Sequence, residues 1–494
     1  MEKESDFAAP IGRSALAQED QGSGAASGTT DLTSRSAVEL IELVRTREVS
    51  PVEIAVAHLK RIDALNPKLN AIVTLAPDFI ERAREAEAAV MRGDNLGPLH
   101  GLPVTIKDAI NTAGLRTTSG SRLRAKHVPR SDAPSVARLK AAGAIVLGKT
   151  NLSELTIDYT ANNPVFGRTN NPHDISRTPG GSSGGEGAAI AACLSPAGLG
   201  TDVAGSIRIP SHFCGITGLK PTIGRVVSTG QSPPSHGHSV IGPMARHVQD
   251  LHLLFHVLGG SESHQAASGS NSLLSRAAAM RGWRAAWYTD DGFAPVTEET
   301  RRAVERAARA LSEAGLIVEE RRAPSVQRGA EMKQKLLSRP TLVYVRDFYA
   351  GHEDEAGAEI RGMLFSVDQT PPPTLDEYLR FWIECDDLSL ALDEWMNETP
   401  LLITPVGATP AFKHGTDQLN VEGQILSLFR AFSYSIAFNA YDLPCVCVPA
   451  AFTSEGLPIG VQIVGRRNEE DTVLVAAALI EQALGGWRPP KLAR

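Results

Sequence analysis

The chain has 494 residues, of which 42% are hydrophobic and 21% charged, and it carries a net charge of -7. That composition excludes general disorder, and an acidic balance without a dense Lys/Arg block excludes the electrostatic footprint of a nucleic-acid binder. Five cysteines, an odd number with no paired CxxC spacing, argue against a disulfide framework and against a structural zinc, and small molecules are the expected partners.

Residues 1–30 are rich in Gly, Ser, Ala and acids and read as a disordered leader, with folding expected from 31 onward. The polar start has no signal-peptide core, and no apolar run approaches the roughly 18 residues that a membrane helix needs. A cytoplasmic location without a membrane span is therefore expected. From Ser36, the spacing of Ala37, Leu40, Ile41, Leu43 and Val44 predicts a helix, and Ser50-Pro51 caps a second. Pro103 to Ile106 predicts a short buried strand ending at Lys107. A helix from Ala133 to Ala142, stopped by Gly143, then leads into a strand, Ala144 to Leu147. This alternation predicts an α/β fold.

After Ser182, the run Gly187 to Ala192 predicts a buried helix whose N-terminus faces the serine-rich turn. Residues 259–281 read as a linker. Beyond it come a strand, Arg284 to Tyr288, a helix, Glu298 to Ala314, and a strand, Leu316 to Val318. The stretch 323–397 is mostly helical, with aromatics at Tyr378, Phe381 and Trp382 that fit either a packed face or a substrate wall. Strands at 401–405, 444–449 and 460–465 complete the set.

Two motifs compete for the chemistry. Residues 143–150 match the phosphate-loop pattern G-x-x-x-x-G-K-[ST], but a helix precedes them and the x positions are themselves a strand, so no loop remains to cradle a phosphate. Gly181-Ser182-Ser183-Gly184-Gly185 matches a nucleophile elbow, yet residues 170–179 have loop composition and no strand delivers Ser182. A serine nucleophile needs a base. None of the 13 histidines is marked out for that role; His127, His173, His212, His236 and His238 all sit in polar or turn-rich contexts. Lys107, at the end of an apolar strand, becomes a base if burial lowers its pKa.

With Lys107, Ser182 and Ser206 at these positions, the chain resembles the amidase signature hydrolases. The likeness runs from about Ser36 through Pro103 to Lys107, residues 148–151, 166–172, 180–188, 200–210, 213–222 and 456–462. It implies one α/β/α sandwich over 31–494, with a large twisted mixed sheet covered by helices and a variable, largely helical pocket region at about 323–435. It also implies a triad: Ser206 as nucleophile, Ser182 as the bridging serine after a cis peptide at Gly181, and Lys107 as base. The backbone N–H groups of Val203, Ala204, Gly205 and Ser206 match the oxyanion hole, and Ser183, Asp202 and Arg208 match supporting polar residues. Many relatives carry glycine where this chain has Ala204, and an alanine held at positive φ would be strained. Leu155, Thr156 and Ile157 match pocket positions.

The implied reaction is hydrolysis of a carboxylic amide, with aryl amides and carbamates (urethanase chemistry) open to the same acyl-enzyme. No metal and no cofactor are expected, and a monomer or homodimer is. The first rival is a glutaminase-type subunit of an amidotransferase; such subunits resemble one another in carrying Ser at the place of Glu186 and Tyr at that of Ile223, whereas Glu186 is like the fatty-acid-amide branch. The rival of another class is a nucleotide binder using residues 143–150.

Overall fold

The computed structural model describes residues 31–234, 237–259, 273–367 and 371–493. The expected leader, His236 and most of the expected linker lie outside the described residues. Of the linker, Leu273–Met280 is a 3₁₀ helix rather than loop.

Both early helices start where their caps place them. Ser36 and Glu39 form a reciprocal capping box for Ala37–Arg45, and Ser50 and Glu53 do the same for Pro51–Leu69. Each box satisfies two backbone N–H groups that a helix start leaves without partners.

The strands are β1 (Ile72–Leu75), β2 (Pro103–Lys107), β3 (Ile145–Thr150), β4 (Ala197–Asp202), β5 (Thr217–Lys220), β6 (Val240–Ala245), β7 (Arg284–Trp287), β8 (Ile317–Glu320), β9 (Leu401–Pro405), β10 (Gln418–Val421), β11 (Gln424–Ser427), β12 (Cys445–Phe452) and β13 (Pro458–Gly465). Eleven form one sheet in the order β1-β3-β2-β4-β6-β5-β12-β13-β9-β7-β8, and β10 and β11 pair separately as a hairpin. The sheet is mixed: β3, β2 and β4 run parallel, as do β9, β7 and β8, while the centre from β4 through β6, β5, β12 and β13 to β9 is antiparallel.

Side chains alternate across each strand, and the two faces bury different cores. Val104 and Ile106 of β2, Leu401 and Ile403 of β9, and Val446 and Val448 of β12 enter the first core with helices Val248–Gly259, Glu298–Glu313 and Glu470–Leu484. Leu402, Cys445 and Cys447 enter the second, with helices Arg208–Cys214, Val326–Tyr349, Leu375–Glu398 and Ser433–Ala440. All five cysteines are buried and free. Among the described residues, no helix is long and apolar enough to cross a membrane.

Phe213, fully buried in the second core, meets Phe412 edge-on at 5.6 Å and Phe432 at 5.9 Å between ring centroids. Phe213→Ala is expected to destabilise the fold by about 3–5 kcal/mol, read as a lower urea midpoint at unchanged m-value.

Candidate active site

Lys107 ends β2 and leaves the sheet on the face opposite Val104 and Ile106. It is fully buried, and its Nζ donates to Ser182 Oγ at 2.6 Å, Thr201 Oγ1 at 2.8 Å and Ser183 Oγ at 2.9 Å. All three acceptors are hydroxyls. Burial pushes the lysine down from its ordinary 10.5 to about 7, against the carboxylates of Asp202 and Glu186, which pull it up. The Gly181–Ser182 peptide is cis, and helix Gly184–Ala191 starts directly after Ser183. Its N-terminal dipole adds positive potential next to Nζ, which further disfavours the ammonium form.

Glu186, in the first turn of that helix, is fully buried beneath the lysine and accepts hydrogen bonds from Thr105 Oγ1 and Thr150 Oγ1. Burial raises its carboxyl to about 7. Room for it comes from Gly198 on β4, where a Cβ would lie 2.1 Å from Glu186 Oε1.

The turn after β4 carries Ser206 and is shaped by one carboxylate. Asp202 accepts from the N–H groups of Gly205 (2.8 Å) and Ile207 (3.0 Å), and it pairs with both edges of Arg208, Nε at 3.1 Å and the terminal nitrogen at 3.0 Å. Asn439 adds a bond to Asp202 at 2.8 Å, and Arg208 reaches on to Gln462 Oε1 at 2.9 Å. The Arg208 guanidinium and these bonds hold the buried Asp202 carboxyl well below the usual carboxylate range, against the burial that would raise it. Asp202 and Arg208 are thus the internal clamp of the Ser206 turn.

The positive φ in this turn falls on Gly205, at +105°, and Ala204 is not among the positive-φ residues. The strain expected at Ala204 therefore does not arise, because its neighbour takes the left-handed conformation. Since the Gly205 N–H is committed to Asp202, the N–H groups of Val203, Ala204 and Ser206 remain as oxyanion-hole candidates.

Ser206 is 7% exposed and opens on a cavity of about 420 Å³. Leu155, Thr156 and Ile157 line that cavity with Val203 and Ala204, and helix Val326–Tyr349 forms the opposite wall. Leu155 and Thr156 both hold positive φ, 50° and 63°. Tyr378, Phe381 and Trp382 pack elsewhere: Tyr378 Oη bonds the Leu336 carbonyl at 3.1 Å, Phe381 stacks under Lys335 and Trp382 lies against His238. The packed-face reading fits Tyr378 and Phe381, which lean on the second core, but not Trp382, which is exposed.

Sequence reasoning missed four contributors. Thr201 is the third acceptor for Lys107, Asn439 and Gln462 complete the Asp202–Arg208 network, and Lys333 sits in the cavity wall. Lys333 is 2% exposed, donates to the carbonyls of His238 and Asn439 at 3.3 Å, and is pushed by burial to about 7. The phosphate-loop match dissolves: Gly143 is a turn, β3 occupies its x positions, and buried Lys149 donates to the Ile110 carbonyl and to Thr112 Oγ1 at 2.9 Å. The elbow match fails too, since Ser182 follows irregular chain.

Fold and cluster together define an α/β protein in which a buried Lys107–Ser182 pair lies beside the turn of Ser206, the Ser183 N–H donating to the Ser206 carbonyl at 3.3 Å, and in which Ser206 opens on a cavity. A family model described as Amidase matches residues 53–474. The glutamyl-tRNA(Gln) amidotransferase A-type chain of Carboxydothermus hydrogenoformans is 33% identical, over 90% of this chain and 96% of that protein. Among solved structures, a bacterial aryl acylamidase of the amidase signature enzymes is 26% identical with a TM-score of 0.80, covering 91% of this chain and 96% of its own. Peptide amidase from Stenotrophomonas maltophilia is 28% identical with a TM-score of 0.78, covering 93% and 99%. The chain belongs to the amidase signature family.

Glu186→Gln removes a carboxylate that raises the Lys107 pKa, so neutral lysine is reached at lower pH. The acid limb of kcat/KM against pH is expected to shift to lower pH in this variant; an unmoved limb contradicts the coupling.

Proposed function

We propose that this chain is an amidohydrolase in which Ser206 attacks a carboxylic amide while Ser182 and Lys107 relay its proton. The observation that carries this reading is the 2.6 Å contact between Ser182 Oγ and a fully buried lysine held near neutrality. A protonated lysine cannot accept a proton, and one with a pKa of about 7 is half neutral at working pH. Neutral Lys107 accepts the Ser182 proton as Ser182 accepts that of Ser206, and the Ser206 oxygen bonds to the substrate carbonyl carbon. Backbone N–H groups of Val203, Ala204 and Ser206 hold the oxyanion. The relay returns the proton to the leaving nitrogen as the carbon–nitrogen bond breaks, and water then cleaves the acyl-enzyme ester to release the acid. Ser183 and Thr201 hold the lysine amine in place, and residues of the 323–435 region select the substrate.

The cavity supports a compact substrate with an apolar group. Ile157, Tyr159, Leu337, Leu342, Phe429 and Ile436 supply apolar wall. Anilides and medium aliphatic amides fit this lining, and carbamates meet the same nucleophile. A second reading, an amide-hydrolysing component of an amidotransferase, draws support from relatedness to the Carboxydothermus amidotransferase chain over nine-tenths of this one. Copurification with further amidotransferase components together with hydrolysis confined to glutamine would favour it.

Ser206→Ala is expected to lower kcat by a factor of about 10⁴ or more, and Lys107→Ala by about 10²–10⁴, measured on an anilide; near-wild-type rates in either variant contradict the triad. Across a panel of anilides, aliphatic amides, carbamates and glutamine, kcat/KM is expected to be highest for the apolar amides.

A further inference from the structure

Helices Val248–Gly259 and Glu470–Leu484 pack in the first core, on the sheet face away from the apolar lining of the Ser206 cavity. Where they meet, they bring together three ligand-type side chains that the hydrolytic site does not use. His252 and His256 stand four residues apart and therefore share one helix face, with ring centroids 4.4 Å apart. Asp471, in the first turn of the second helix, faces both. His252 Nε2 and His256 Nε2 are 3.0 Å apart, His256 Nε2 is 3.1 Å from Asp471 Oδ1, and His252 Nε2 is 3.8 Å from the same oxygen.

As hydrogen bonds these contacts compete. A proton on His256 Nε2 serves Asp471 but must be shared to reach His252, and a proton on His252 Nε2 that serves His256 leaves the His256 lone pair facing a carboxylate. A cation satisfies all three at once. The three atoms leave a point about 2 Å from each, the length of zinc–nitrogen and zinc–carboxylate bonds. Both histidines are nearly buried, at 7% and 9% exposure, which limits the rotamers that would disperse the cluster. Arg276 bonds the other carboxylate oxygen, Oδ2, at 3.0 Å and so orients Oδ1 toward the imidazoles, as outer-shell partners of ligating carboxylates do.

We propose that His252, His256 and Asp471 bind one divalent transition-metal ion of the zinc class, clamping these two helices together. Two imidazoles and one carboxylate suit zinc, cobalt or nickel over magnesium or calcium, which prefer all-oxygen ligand sets. Solvent completes the coordination. The site is structural, since its two helices belong to the core on the face opposite the cavity's apolar lining.

The test uses the full chain, stripped with a chelator and then dialysed against zinc alone at pH 7.5, with metal counted by atomic absorption and Tm read by calorimetry. One zinc per chain is expected, raising Tm, and cobalt in its place should give a visible absorption band that the metal-free chain lacks. In His252→Gln/His256→Gln, and separately in Asp471→Asn, the bound zinc and the zinc-dependent rise in Tm should both be lost, while kcat/KM stays within about twofold of wild type. The rise on adding zinc, rather than Tm itself, is the readout, so a variant that is merely less stable does not mimic the result. A wild-type chain that retains no zinc overturns the proposal, as does undiminished stoichiometry in the double variant.

Discussion

The site depends on keeping an amine out of water with only hydroxyls as its hydrogen-bond partners. Lys107 contacts Ser182, Ser183 and Thr201 and no carboxylate directly; the nearest acids act on it through space. A direct ion pair would stabilise the ammonium and remove the base. Hydroxyls both donate and accept, so when the amine is neutral two of the three can take its N–H groups while Ser182 turns its own proton toward the lone pair. Glu186 limits the effect in the other direction, because its partial charge keeps the lysine near neutrality instead of far below it.

The charged pair that does form is placed one step away. Asp202 and Arg208 are both fully buried, and their bonds are spent on the turn that carries Ser206, on Asn439 and on Gln462. Removing one partner of such a pair costs about 3–5 kcal/mol, because the other is left as an uncompensated buried charge. Asp202 thereby orders the Ser206 turn, pairing directly with arginine while it acts on Lys107 only through space. Gly205 takes the positive φ that this turn requires, which leaves Ala204 in ordinary backbone and its N–H in place.

Much of this was legible in the sequence. An apolar run ending in lysine placed Lys107 at a strand end, and the family resemblance tied Ser182 and Ser206 to it. Helical spacing from Ser36 and the cap at Ser50 marked the starts of the first two helices. What was not legible comes from distance along the chain and from ordinary residue types. Thr201 is an unremarkable strand threonine until β4 is laid beside β2. Asn439 and Gln462 lie more than 200 residues from Asp202 and carry no local signal. Glu186 stood out as a marker between branches, but its burial follows from Gly198 on a neighbouring strand. The histidine pair on helix Val248–Gly259 has helical spacing in plain view, yet its third member arrives only when the C-terminal helix packs against it.

The central claim is that a neutral Lys107 activates Ser206, and the rate at which a fluorophosphonate labels the enzyme tests it without any knowledge of the natural substrate. The labelling rate constant should rise with pH and reach half its maximum near 7, where Lys107 loses its proton, and Ser206→Ala should take up no label. A rate independent of pH, a midpoint at the ordinary lysine value of 10.5, or labelling that persists without Ser206 would contradict the account.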